Sequence, residues 1–516
     1  MKKSIVRKRS LARKRKLVRR LDRSNFPDDL SRPVLRSGKL QFELAERIVG
    51  TACGGLGLIH QLAIELGLPQ AVDRQLQLFK LHLPYHESDH VLNLAFNTLC
   101  GGTCLQDLEL RRQDEAYLNL LGAERIPDPT TAGDFCRRFE RDDLHDLQAA
   151  FDEARLKIWA QQPPEFFAQA VIEADGTMVE TDAECKQGID ISYKGQWGYH
   201  PLVITLANTG EVLRLLNRPG NRPSHEGAGP LFDESIVLCR AAGFRKMLLR
   251  GDTDFSQTAR LDGWHEQGDV TFIFGYDATN NLNMLADDLP KSAWKPLQRP
   301  PRYKVKTGPR TKPERVKQAL VEKHGFKDVR LIEEWVAEFD YRPVACCRAY
   351  RLVVVRKHLE IDEPKQGRFL DQDYRYFFYI LNDWKPTPAE VVFSANDRCN
   401  QENHVSQLHA ARALHAPVDN LLSNEAYMLC TSLAWNLKAW LALRLPVATG
   451  KQQERQQAEK QKLLKLEFRT FVNGWLRIPC QVLRTGRQLV CRLLAWNEWQ
   501  ETFFRLADAL NRPLRL

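Results

Sequence analysis

Three acidic positions, far apart in the sequence, have the residue types and settings for metal-assisted phosphate chemistry. AQAVIEADGT runs from apolar residues into Asp175, and KMLLRGDTDF, residues 246–255, runs from apolar residues into Asp252. In DRCNQENHVSQLH, Glu402 follows Arg398 by four residues, one helical turn, so the two share a face. An apolar run that ends in a carboxylate reads as a buried strand carrying an acid to a sheet edge. Carboxylates on rigid elements suit Mg²⁺, which takes oxygen ligands, waters and substrate phosphates. Two such ions about 4 Å apart activate one oxygen and stabilise the leaving one in phosphodiester cleavage. Each position has rivals. Glu173 shares the strand face of Asp175, Asp182 belongs to the following loop, and Asp254 serves if the second strand runs longer. Singly, any of these acids is most often solvated or salt-bridged. An Arg-Gly-Asp on an exposed loop would instead be an adhesion motif.

These acids need elements to hold them. From Ala168 the pattern reads strand, hairpin turning at Asn208-Thr209-Gly210, helix, strand, helix, strand. That is the order of an RNase H-like α/β fold, in which the strands of Asp175 and Asp252 are neighbours. Residues 26–165 read as helical. Thr131 with Asp134 fits a capping box opening a helix that carries Arg137 and Arg138. Such a helix suits a DNA groove, or is simply a bundle helix with solvated arginines. Residues 296–390 are rich in β-branched and aromatic residues and read as strands. Ser394 with Asp397 fits a second capping box, which would place Glu402 about two turns into its helix. The expected organisation is a basic tail (1–25), a helical DNA-binding region (26–165), a first core segment (166–295), a β-rich insertion (296–390), a second core segment (391–450) and a helical C-terminal region (451–516). The fold class is α/β: an RNase H-like catalytic core with a β-rich insertion, a helical N-terminal region and a helical C-terminal tail.

Charge is unevenly placed. Residues 1–23 hold 12 Lys/Arg and one Asp, a net of +11, against +10 for all 516 residues, so the remaining 493 sum to −1. A second cluster, QRPPRYKVKTGPRTKPERVK, has eight basic residues and one acidic, among them Lys304, Lys306 and Arg310. Two such clusters in one chain favour a phosphate backbone as partner. No apolar run is long enough for a membrane helix, and no apolar block follows the basic N-terminus. The twelve cysteines have no framework spacing, which suits reduced thiols in the cytosol.

Several segments, in order from about residue 40 to 445, together resemble bacterial insertion-sequence transposases of the DDE type, in the branch whose RNase H-like core is interrupted by a β-rich insertion. PDPTTAGDFCRRF resembles the segment before the core, and DGT at 175–177 the first-aspartate motif. YKGQWGYHPLVITLANTGEVL and LNRPGNRPS resemble the lysine-glycine, hairpin and arginine-rich turn. LLRGDTDF resembles the second motif, DRCNQENHVSQLH the third, and NEAYMLCTSLAWNLKAWL the helix that follows. The resemblance implies that Asp175, Asp252 and Glu402 bind two Mg²⁺ ions, with Mn²⁺ able to substitute. It implies cleavage at mobile-element ends, strand transfer to target DNA, and a homodimer on double-stranded DNA in the bacterial cytoplasm (the nucleoid), with no membrane. It makes Arg398 a residue that contacts DNA or steadies the site, and gives Lys194, Arg218 and Arg222 DNA contacts. Trp197 and Tyr199 read as stacking residues for an unpaired base or as core aromatics. Ala395 and His409 depart from the tyrosine and lysine common in related elements, and Asp254 from a glycine, so strand handling is expected to differ while metal binding survives. The competing readings are a catalytically inactive DNA-binding relative and another RNase H-like nuclease, such as a resolvase.

Overall fold

The computed structural model describes residues 3–22, 49–81, 84–299, 329–361, 373–485 and 488–511. The basic positions Lys304, Lys306 and Arg310 lie outside them. The chain forms two compact units: Met1–Phe166 with Thr177–Arg222 and Asn403–Leu516, and Phe167–Gly176 with Pro223–Glu402. No helix among the described residues is long and apolar enough to cross a membrane.

The first unit is mainly helical. Its spine is Leu421–Arg444, buried on every face from Ser423 to Leu443. Arg141–Trp159 has the expected apolar stripe, with Leu144, Leu147, Phe151 and Ile158 all buried. The hairpin Leu202–Leu206 and Glu211–Leu216 turns where the Asn-Thr-Gly sequence places it. The capping box expected at Thr131 is corrected. The helix is Pro129–Cys136, capped by Asp128, whose Oδ1 accepts the Thr131 amide at 2.9 Å. A proline at the first helical position has the right φ and no amide to satisfy, so Pro129 opens the helix. Arg137 caps that helix's C-terminus, and Arg138 lies beyond it.

Both ends of the chain differ from expectation. The basic N-terminal segment is a helix, Lys3–Leu21, rather than a tail. Arg13 Nη1 donates to the Leu493 carbonyl at 2.6 Å, and Lys14 lies 5.4 Å from the Trp496 ring centre. The C-terminal region is not all helix, since Cys480–Thr485 and Gln488–Leu493 pair antiparallel, and Val49–Thr51 pairs with the first of them. Alternate burial of Cys480 and Val482 explains this: the segment has a period of two. The charged helix Gln453–Leu464 buries one face, and Lys460 Nζ donates to the Leu443 carbonyl at 2.9 Å.

The second unit is built on a mixed sheet. Ala170–Gly176, Met247–Gly251 and Val270–Tyr276 run parallel, in the spatial order first, second, third. Asp373–Leu381 pairs antiparallel to the last of them, followed outward by Tyr350–Ile361, Val329–Tyr341 and Lys295–Pro296. The helix Ala228–Ala242 leads into the second of these strands and stops at Gly243, whose φ of 99° is left-handed. Thr258–Glu266 links the next two, seating Leu261 and Trp264 in the core. The antiparallel strands also form a floor. Ile273, Val336, Val353, Val355 and Leu381 pack with Val391 and Val392 of the helix Pro388–Asn396. The second capping box lies one helix earlier than expected. Thr387 and Glu390 form it, with Pro388 at the first helical position. Ser394 is inside that helix, and a separate helix, Cys399–Ala410, puts Glu402 in its first turn rather than two turns in.

Candidate active site

The register of two parallel strands brings the aspartates together. Ala170 pairs with Met247 and the pairing runs to Glu173 and Arg250; Asp175 and Asp252 follow two residues on in each chain segment, near enough for the Asp252 charge to raise the Asp175 carboxyl. Alternation along a strand puts Glu173 and Asp175 on one face of theirs, and Arg250 and Asp252 on one face of theirs. Two glycines let the chain turn sharply at Asp252. A Cβ at Gly251 would meet Phe255 Cβ at 2.5 Å, and one at Gly275 on the adjoining strand would meet the Thr253 amide nitrogen at 2.8 Å. Asp252 then caps the short turn Thr253–Ser256, its Oδ1 accepting the Asp254 amide at 3.0 Å. Asp254 itself is exposed in that turn, and Asp182 is exposed on its loop.

Glu402 comes from the helix after the sheet floor. Arg398, at the break between the two helices, sets its Nη2 3.1 Å from Glu402 Oε1. Neighbouring charges act on both aspartates. Burial pushes the Asp175 carboxyl up to about 7; Arg398 pulls it down, while Asp252 and Glu402 push it further up. Asp252 is raised as well, by burial first, against the pull of Arg398. Two carboxyls held above their ordinary range by burial and by neighbouring carboxylates (Asp252 and Glu402 for Asp175, Asp254 and Glu402 for Asp252), with one guanidinium as counter-charge, make a site short of positive charge.

This donor set fits divalent cations. Hard oxygen donors suit Mg²⁺ or Mn²⁺, and added positive charge would relieve the repulsion that raises Asp175. The three acids do not close on one point. Among the described residues, the three ligand groups gathered within 4.8 Å are Asp73, His86 and Glu87. A two-ion site does not need that closeness. With ligand oxygens about 2 Å from each ion and the ions about 4 Å apart, acids serving different ions stand about 8 Å apart. The Asp73 group has a structural task in view: Asp73 accepts the Ser88 amide at 2.8 Å, and Glu87 accepts the Leu78 and Phe79 amides at 3.0 and 3.1 Å.

The other expected DNA contacts belong to the first unit. Lys194 is exposed on a hairpin tip beside the 92% exposed Tyr193, and Arg222 is exposed. Arg137 is held by Asp134 and Asp419, both at 2.8 Å, and Arg138 lies 5.0 Å from the Phe79 ring centre. Arg218 is buried, and its Nε donates to the His200 carbonyl at 2.9 Å, so it fixes the turn after the hairpin. Tyr199 is a core aromatic whose hydroxyl donates to the Gln187 carbonyl at 2.8 Å, whereas Trp197 remains part-exposed. His409, where related elements carry lysine, sets Nε2 2.8 Å from Thr177 Oγ1. Sequence reasoning passed over the Glu173–Arg250 pair, although the strand offset could have revealed it.

A family model described as transposase DDE domain, group 1, matches residues 48–513. No curated protein matches the sequence. Among solved structures, a piggyBac transposase synaptic complex with hairpin DNA, determined by cryo-EM, aligns over 82% of this chain and 88% of that one, at 10% identity and a TM-score of 0.30.

Proposed function

This chain belongs to the transposase DDE domain group 1 family, and from that premise we propose that Asp175, Asp252 and Glu402 are its DDE residues. They hold two divalent ions, Mg²⁺ or in its place Mn²⁺, and the enzyme cuts at mobile-element ends and joins the freed 3′ ends to target DNA. The observation that carries the reading is geometric: Asp175 and Asp252 end two paired parallel strands of the second unit, and Arg398 sits 3.1 Å from Glu402. The order of strands and helices supports an RNase H-like core interrupted by β-rich residues 296–390. The basic segments and Arg137, Arg138, Lys194, Arg222, Lys304, Lys306 and Arg310 supply the grip on double-stranded DNA, with a homodimer pairing two ends, while Arg218, being buried, does not take part.

When bound, the ions would activate the attacking oxygen and take up charge developing on the phosphate. The protein's own task is to aim and to hold. The turn after Gly251 fixes the Asp252 carboxylate through the Asp254 amide. Arg398 balances Glu402 and stands ready to meet a phosphate oxygen through a charge-assisted hydrogen bond. No covalent link between protein and DNA is required.

Purified protein, Mg²⁺ and linear DNA carrying the sequences that flank the gene test this reading. Nicks that leave a 3′-hydroxyl at the ends, then joined products, are expected. Binding without nicks points to an inactive relative. Preferential cutting of four-way junctions points to a resolvase.

A proton count follows from Asp175. Its folded pKa, about 7, lies above the ordinary 3.8, so the protonated form favours the fold. The metal-free protein therefore loses stability as pH rises from about 4 to about 7. Metal binding needs the ionised carboxylate, so it should release protons at about pH 6 and far fewer at about pH 8.5. Calorimetry of Mn²⁺ binding in buffers of different ionisation enthalpy measures this. Equal release at both pH values would remove Asp175 from the ligand set.

A further inference from the structure

The three-acid reading leaves Arg250 without a task. Its side chain is only 9% exposed and that of its partner, Glu173, only 1%. Arg250 Nη2 lies 2.5 Å from Glu173 Oε1, a close ion pair without the alignment of a hydrogen bond. Its Nη1 donates to the Ser394 carbonyl at 2.6 Å.

Each of these contacts leads to an acid. Glu173 stands two residues before Asp175 on the same strand face. Arg250 itself stands two residues before Asp252, across Gly251. Ser394 lies in the last turn of Pro388–Asn396, just ahead of Arg398 and Glu402. The Ser394 carbonyl needs an outside donor. The amide that would close its turn, that of Arg398, bonds to Ala395 instead, at 3.3 Å. The negative end of a helix also favours a cation there.

We propose that Arg250 is a positioning residue that ties the strand of Asp175, the strand of Asp252 and the helix leading to Glu402 into one arrangement. The proposal rests on the reading of those acids as the metal-holding set. A guanidinium suits the task because its rigid fork reaches two partners at once, and a lysine ammonium on a flexible stem does not. The rival reading is that Arg250 merely neutralises the buried Glu173.

The double variant Glu173→Gln/Arg250→Met separates the two. It removes both buried charges together, which is often near neutral for stability, while cutting the tie to Ser394. The readouts are Mn²⁺ binding to the protein by calorimetry, DNA cleavage rate, and a thermal melt as the control for folding. The double variant should melt near wild type, bind Mn²⁺ about 10–100-fold more weakly, and cleave more slowly by a similar factor. Arg250→Lys should lose more Mn²⁺ affinity than Glu173→Gln, which keeps the bond from Arg250 to the Ser394 carbonyl. A double variant that matches wild type in Mn²⁺ affinity and cleavage overturns the proposal. If the double variant does not fold, equal Mn²⁺ affinity in Arg250→Lys and Glu173→Gln overturns it instead. Wild-type Mn²⁺ binding that survives Asp175→Asn would defeat the metal reading itself, and so is distinct from failure of the role given to Arg250.

Discussion

Asp175→Asn, Asp252→Asn and Glu402→Gln should each lower metal-dependent cleavage of element-end DNA by about 10³-fold or more. The size follows from the role. Metal stabilisation of transition-state charge is worth several kcal/mol, and each ~1.36 kcal/mol is tenfold in rate. Each substitution keeps shape and removes one charged ligand, so gel-shift binding to the same DNA should persist, because the basic segments carry that affinity. Asp254→Asn is the matched control. Asp254 is an exposed turn residue that acts on Asp252 through its charge and its backbone amide, and asparagine keeps that amide, so cleavage should stay within a few-fold. The triad variants carry a second signature. Asp175 is held ionised above pH 7 against burial and two like charges, so Asp175→Asn should melt at a higher temperature than wild type at about pH 8 without metal. Active sites commonly sacrifice stability in this way. Any of the three variants that cuts at the wild-type rate removes its residue from the set.

The catalytic strands were legible in the sequence because their signals are local. Apolar runs of strand length stopped at Asp175 and Gly251, and the helices between them carried an apolar face and, at Gly243, a glycine stop. The strands of residues 329–381 were legible for the same reason: YRLVVVRKHLEI has no helical period, and Leu352 to Val355 are all buried. Helix starts were misplaced where two candidate caps competed. Both true starts have proline at the first helical position, after Asp128 and after Thr387, and that pre-set φ outweighs an interior Ser or Thr that happens to precede an acid by three. The misplacement of Glu402 follows from this, since one helix read as starting at Ser394 is two, broken at Asp397–Arg398. The C-terminal hairpin carries only a short period-two signal over Cys480–Leu483, and its third strand, Val49–Thr51, lies more than 400 residues away, a separation that no local pattern reports. Arg250 was visible as a motif letter only. Its meaning needed the offset between two strands and a carbonyl from a third element.

The largest stability effect is expected at Glu211, in the first unit. Its carboxylate is fully buried and accepts four donors from three elements. Arg155 Nε reaches Oε1 at 3.0 Å, Trp440 Nε1 reaches Oε1 at 2.7 Å, Trp159 Nε1 reaches Oε2 at 3.0 Å, and Thr209 Oγ1 reaches Oε2 at 2.6 Å. Arg155 is equally buried and is also paired with Asp152. Glu211→Ala leaves a buried guanidinium and two indole N–H groups without their acceptor, and breaking a buried pair from one side costs about 3–5 kcal/mol. Glu211→Gln should cost less but still destabilise, because one of its two ends becomes a donor facing donors. The exposed pair Arg112–Glu109, at 3.1 Å and about half accessible, gives the contrast, since Glu109→Ala should move the same transition by no more than about 1 kcal/mol. Urea unfolding followed by tryptophan fluorescence reads the effect at its source, because Trp159 and Trp440 are themselves donors to Glu211. The double variant Glu211→Leu/Arg155→Met should recover much of the loss, since it removes both charges at once. A Glu211→Ala protein that unfolds within about 1 kcal/mol of wild type would mean that the hairpin is held to its two helices by packing alone, and that this carboxylate adds nothing to the joint.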